Sequence, residues 1–147
     1  MADLSSTAAN LRILEGIEAR LIPMIADETI AKGDAVYRKT NGKAAKARGN
    51  GVSTAKVVGI ATSDAAAGQP FEALYHGRMV GYDLSGVNPG STVYLSAATA
   101  GKIDGAIVTG TGNVVAGLGT VHAMTDVGGT RFIFFDIPQN ATPVALG

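Results

Sequence analysis

The chain has 147 residues, twelve basic and twelve acidic side chains, a formal charge of zero, and neither Cys nor Trp. That is one domain's length, enough to bury about 70% of the unfolded surface. The missing Cys excludes disulfide scaffolds, thiolate metal sites and Cys nucleophiles, and only His76 and His122 remain for an imidazole site. Of the 46% hydrophobic residues 24 are Ala, and with 20 Gly, 4 Tyr and 4 Phe this is a small-residue chain that disfavours a large ring-lined pocket.

In chain order, residues 1–21 read as an N-terminal arm or short amphipathic helix. Ala8, Leu11, Leu14, Ile17 or Glu18, and Leu21 fall at helical spacing, although Gly16 weakens a helix there. The segment either folds back on its own domain or reaches a neighbour as an arm. Residues 22–137 read as a β domain. Ala35 to Lys39 is a β-prone run, Asn41-Gly42 is a hairpin signal, and Lys43 to Ala47 returns. Lys56 to Thr62 and Pro70 to Tyr75 follow, and then Thr92 to Ser96, Val114 to His122 and Thr130 to Ile137. Residues 138–147, punctuated by Pro138 and Pro143, read as an extended tail.

These runs repeat. Ile30 to Tyr37 matches Val87 to Tyr94 at an offset of 57, and Gly42-Lys43 matches Gly101-Lys102 at 59. Val58-Gly59-Ile60 matches Ala116-Gly117-Leu118 at 58, and Gly68 with Phe71 matches Gly129 with Phe132 at 61. Extension upstream pairs Ile22 to Ala26 with Met79 to Asp83, giving units of 22–77 and 79–136. Tyr37 is expected on Tyr94, Gly59 on Gly117 and Phe71 on Phe132. Eight to ten short strands without a helical crossover predict a mainly β fold, a β-barrel or sandwich built from two similar halves.

Charge is uneven: residues 32–56 carry a net +6, and the segments before and after carry −3 each. Arg38, Lys39, Lys43, Lys46 and Arg48 are therefore candidates for docking on an acidic surface; the plain alternative is a solvated hairpin whose cations discourage edge pairing. Only Tyr37 interleaves with them, so nucleic acid is not expected as a partner. Leu4, Leu11, Leu14, Ile17 and Leu21, which the repeat leaves without a place in the core, are the second set of candidate partner-binding residues.

Catalytic motifs fare poorly. Ser53-Thr-Ala-Lys56 has the Ser-x-x-Lys spacing of an acyl-transfer nucleophile, but it precedes the β-prone Val57-Val58 and lacks the companion motifs. Gly110-Thr-Gly112 lacks the third Gly of a dinucleotide loop, and no spacing joins a Ser to either His and an Asp. Both histidines read as partly exposed structural residues, and Asn140-Ala-Thr142 is a glycosylation sequon without a secretion signal. The reading is of a non-enzyme without a cofactor or metal, and no run is long enough for a membrane span.

Gly33-Asp-Ala-Val-Tyr37 with Gly42-Lys43, then Val57 to Ala61, Ala66 to Pro70 and Gly77-Arg78, resemble the capsid decoration, or head cement, proteins of tailed bacteriophages. The second half repeats the pattern through Gly90, Val93 to Ser96 and Gly117. The resemblance spans roughly residues 25–137. It implies a β-rich structural protein of the virion, typically a homotrimer, that binds the outside of an icosahedral head and clamps neighbouring coat (major capsid) subunits. It brings no catalytic residues with it. Assembly is then expected in the host cytoplasm. The alternative is a fibre or spike module that binds a host-surface glycan, which exposed aromatic clusters would favour.

Overall fold

The computed structural model describes residues 3–4, 6, 10–14, 19–123, 131–139 and 143–147. Among these, ten strands form one curled antiparallel sheet, a half-barrel, with a single-turn helix: β1 (Arg12–Ile13), β2 (Arg20–Ile25), β3 (Ala35–Arg38), β4 (Ala44–Lys46), α1 (Val52–Ala55), β5 (Val57–Ala61), β6 (Pro70–Val80), β7 (Thr92–Leu95), β8 (Ile103–Asp104), β9 (Gly117–Ala123) and β10 (Arg131–Asp136). The sheet runs β4-β3-β5-β6-β10-β9-β7-β8, and β1 and β2 also pair with β6. The fold class is mainly β, as expected. The β3–β4 hairpin forms where Asn41-Gly42 predicts it, with Gly42 at φ +85° and the Asn41 side-chain oxygen accepting the Lys43 amide at 2.9 Å.

The repeat is visible in the ladder itself. In the first unit β3 pairs Val36 with Gly59 and Tyr37 with Val57; in the second β7 pairs Val93 with Gly119 and Tyr94 with Gly117. Both pairs carry a register shift at that same step, Val36/Tyr37 and Val93/Tyr94. Gly33 N–H donates to Ala61 O at 2.8 Å, and Gly90 N–H donates to Val121 O at 2.7 Å. Tyr37 thus corresponds to Tyr94 as expected. The other two expected pairings need correction, because across β5 and β9 the offset is 60. Gly59 corresponds to Gly119, not Gly117, and Phe71 to Arg131, not Phe132. Loop lengths between motifs shift the offset, and matching on short glycine-centred motifs placed these positions one or two residues off.

The first unit is β2-β6-β5-β3-β4 and the second β6-β10-β9-β7-β8, so β6 serves both. Ile22 of β2 pairs with Ala73 as Met79 of β6 pairs with Ile133 of β10. The amino half of β6 therefore closes the first unit and its carboxyl half opens the second. An 11-residue strand replaces the expected break after Gly77. The parallel bridge Ala26–Ala44 brings the end of β2 to β4, curling the first unit around Met24, Ile30, Val36, Ala44, Ala61, Phe71 and Ala73. The corresponding interior of the second unit has Ile103, Val121 and Ile133 where the first has Ala44, Ala61 and Ala73.

The described residues of the N-terminal segment fold back on their own domain, the first of the two expected courses, though not as a helix. They make strand pairs instead: Arg12 lies opposite Val80, Ile13 opposite Met79, and Leu14 N–H donates to Arg78 O at 2.9 Å. Leu11 is fully buried in the main core cluster, and Leu4 packs against that cluster while its N–H donates to Ile103 O. The cause is the open flank of β6, which needs a ladder partner and an apolar cover. Leu4 and Leu11 are core residues and Leu14 is half-buried, so they are not on a free arm; Ile17 lies outside the described residues. Leu21 belongs to β2 and is 36% exposed. In the tail, Leu146 N–H donates to Asn113 O at 2.7 Å, tying the last residues to the 110–114 loop.

Candidate docking surface

The basic candidates divide. Arg38, Lys39 and Lys43 are exposed on the β3–β4 hairpin, whereas Lys46 and Arg48 are half-buried. Lys39 Nζ lies 2.6 Å from Asp27 Oδ2, and Asn41 Nδ2 donates to the other carboxylate oxygen at 3.2 Å. The hydrogen bond from Lys39, then that from Asn41, holds the Asp27 carboxyl below its ordinary range. Arg48 Nε donates to Ala97 O at 2.8 Å, and the Lys46 amide donates to Glu28. Arg48 thus fastens the first unit to the second, and Arg38 and Lys43 carry the outward charge of the hairpin.

Beside that hairpin lies an open groove of about 650 Å³, lined by Ile22, Tyr37, Arg38, Lys39, Thr40, Val52, Ser53, Lys56, Val58 and Gln139. Ile22 and Val58 pack on the first unit's interior and form an apolar floor. Arg38 and Lys56 give a cationic rim, and among the described residues no acid lines the groove. Ser53 and Lys56 are both exposed, and no hydrogen bond joins them among the described residues. Sequence reasoning found the cations but not the floor, because Ile22 and Val58 meet only when β2 and β5 flank β6 on opposite sides.

No family model matches this chain. No curated protein matches it either.

A second surface escaped the sequence reading. Phe132, Phe134 and Asp136 alternate along β10 on the face opposite Ile133 and Phe135. His122 stacks on Phe132 (5.5 Å between centroids), His76 meets Phe134 edge-on at 5.2 Å, and Arg78 sits 5.2 Å above the Phe132 ring. His76 Nδ1 is 3.3 Å from Asp136, and His122 Nε2 is 2.8 Å from Thr120 Oγ1. Arg78, His122, Ala123, Phe132 and Phe134 border a shallow recess of about 240 Å³. The period-2 pattern of Phe132-Ile-Phe-Phe-Asp136 was the available signal, with the two histidines coming from β6 and β9.

At the junction of the units, Asp34 is 3% exposed, accepts the Ala31 amide at 2.9 Å and lies 3.6 Å from Lys102 Nζ. Burial raises its carboxyl above the ordinary range, against the opposing pull of the Ala31 amide and the Lys102 and Lys46 charges. Tyr82, whose hydroxyl donates to Gly33 O at 3.0 Å, is likewise pushed up by burial and by Asp34. Among the described residues no group of three His, Asp or Glu side chains is disposed to hold a metal ion, and no helix is long and apolar enough to cross a membrane.

Proposed function

We propose that the chain is a capsid decoration protein of a tailed phage: a homotrimer on the outer surface of the head that stabilises it by clamping neighbouring coat subunits. The observation that carries this reading is where the resembling residues sit. Gly33 to Tyr37, Gly42-Lys43 and Val57 to Ala61 build the ladder of the first unit, and Gly90 and Val93 to Ser96 build the same ladder again in the second. The shared motifs are thus scaffold, and the sequence between them is free to shape a contact. A cement protein needs shape, many copies and added interface; three linked weak contacts hold far more tightly than one. Arg38 and Lys43 suit an acidic coat surface, with no role for nucleic acid, membrane or cofactor.

The test is co-sedimentation with phage heads assembled without a decoration protein. Saturable binding that raises the temperature of head rupture is expected, and Arg38→Glu with Lys43→Glu weakens it, most at low salt. Absence of binding at micromolar protein overturns the reading. The Phe132–Phe134 face favours one other reading, a virion module that binds a host-surface glycan by stacking on sugar rings. Retention on immobilised host glycans, abolished by Phe134→Ala, would establish it instead.

A further inference from the structure

The two units meet through a contact that one of them leaves unused. Residues 47–50 of the first unit sit on the second: Gly49 N–H donates to Ser96 O and Val114 N–H to Gly49 O, both at 2.8 Å, and Gly101 N–H to Ala47 O at 2.6 Å. Leu95 and Leu118, which share the main core cluster with Ala47, are 0% and 2% exposed. By register, Leu95 and Ser96 correspond to Arg38 and Lys39, and Leu118 to Val58. In the first unit these positions border the open groove, where Val52 is 39% exposed and Val58 only partly covered. The same seat is filled in one unit and empty in the other.

The register also identifies the matching key. Counting on from the pairs Tyr37–Ala45 and Tyr94–Asp104, the offset of 59 aligns residues 47–49 with 106–108; the second ladder ends at Asp104, whose carboxylate accepts the Ala106 amide at 2.9 Å and turns the segment outward. There Ile107 stands in the place of Arg48 and is 59% exposed, a large apolar side chain mostly open to solvent. We propose that residues 106–109 of one copy dock in the groove over Ile22 and Val58 of a second copy, repeating between chains the contact that joins the units within a chain. Ile107 meets an apolar floor, and the segment brings Asp104 to a rim charged by Arg38 and Lys56. Among the described residues, the first pair with β6 and β8 and the last with residues 112–114; of the tail only Gln139 lines the groove, its side chain donating to Val58 O at one edge. The contact is heterologous, so it propagates from copy to copy, and a rotation of one third of a turn per copy closes it as a ring. The inference rests on the homotrimer reading, in which three copies close the ring of six units.

The chain's lack of Cys makes the test direct. A Val52→Cys/Ile107→Cys double variant, oxidised and run on a denaturing gel, gives covalent multimers up to the closed ring. Each single variant stays uncrosslinked, and a mixture of the two singles stops at dimers. Ile107→Asp, which alters an exposed side chain, keeps the circular dichroism spectrum and shifts assembly to at least tenfold higher concentration by native mass measurement. A wild-type monomer at micromolar concentration, self-crosslinking single variants, or an Ile107→Asp oligomer of unchanged strength each overturn the inference. If Ile107→Asp remains a trimer that still decorates heads, the contact falls and the head reading stands; if wild-type protein neither assembles nor binds heads, both fall.

Discussion

Gly59 and Gly119 show why the repeat keeps glycine beside its register shift. A Cβ on Gly119 would stand 2.3 Å from Phe134 O, and one on Gly59 2.7 Å from the Ala73 Cβ, so neighbouring strands pass too close for any side chain. Gly119→Ala is expected to destabilise the protein by about 1–3 kcal/mol or more, measured by urea unfolding. Gly117, which the sequence suggested instead, has only an ordinary contact with Thr92 at 3.5 Å, and Gly117→Ala serves as the milder control. Asp34 makes a pH-dependent prediction. Its carboxyl is raised in the folded state, so the folded protein holds its proton more tightly than the unfolded chain, and stability falls as pH rises through that raised value. Asp34→Asn keeps an oxygen for the Ala31 amide and removes the buried charge. Its melting temperature relative to wild type is expected to be higher at pH 7 than at pH 3; a difference independent of pH would refute this account.

Among the elements, the N-terminal segment is the clearest case of tertiary context overriding periodicity. Leu11 and Leu14 fit a helical stripe, yet an unpaired flank of β6 gives the backbone ladder partners and gives Leu11 a closed site. Leu11→Ala is therefore expected to cost about 2–5 kcal/mol, and deleting residues 1–14 to unfold much of the second unit, as read by circular dichroism. Strand spans were legible, because Val, Ile and Tyr alternate between turn glycines: β3, β5, β7 and β10 fall within the runs the sequence marks. The continuity of β6 was not, since Gly77 looks like a turn when its neighbours are unknown. The groove was half legible, its cations being a local run and its floor a product of pairing across about 35 residues. Pro23 explains why, among the described residues, β2 has no covering strand where the matching part of β6 has β1. The Ala26 amide donates to Gln69 O, so alternation turns the odd-numbered amide positions of β2 outward, and at the middle one Pro23 has no hydrogen to offer. Its counterpart, Val80, lies opposite Arg12. Pro23→Val restores the donor on a strand that exposes Leu21 and Ile25, and concentration-dependent light scattering is expected to rise.

At the scale of the whole molecule, a shared β6 makes the two units one thermodynamic body. Calorimetry is expected to show a single transition with equal calorimetric and van't Hoff enthalpies; two resolved transitions would mean that the units melt separately. The main core cluster spans both units, with Ile60 and Leu74 from the first beside Val93 and Ile133 from the second. The ends of β6 and β10 carry a further meaning. Where β6 runs on through Arg78 to begin a second unit, the corresponding position after β10 is Pro138, which has no amide hydrogen for another ladder. The ladder to β6 reaches Ile137, whose N–H donates to Tyr75 O, and the Gln139 side chain then donates to Val58 O. The architecture is a tiled strip in which the central strand of one module opens the next, and a single imino acid withholds the amide from which another tile would start.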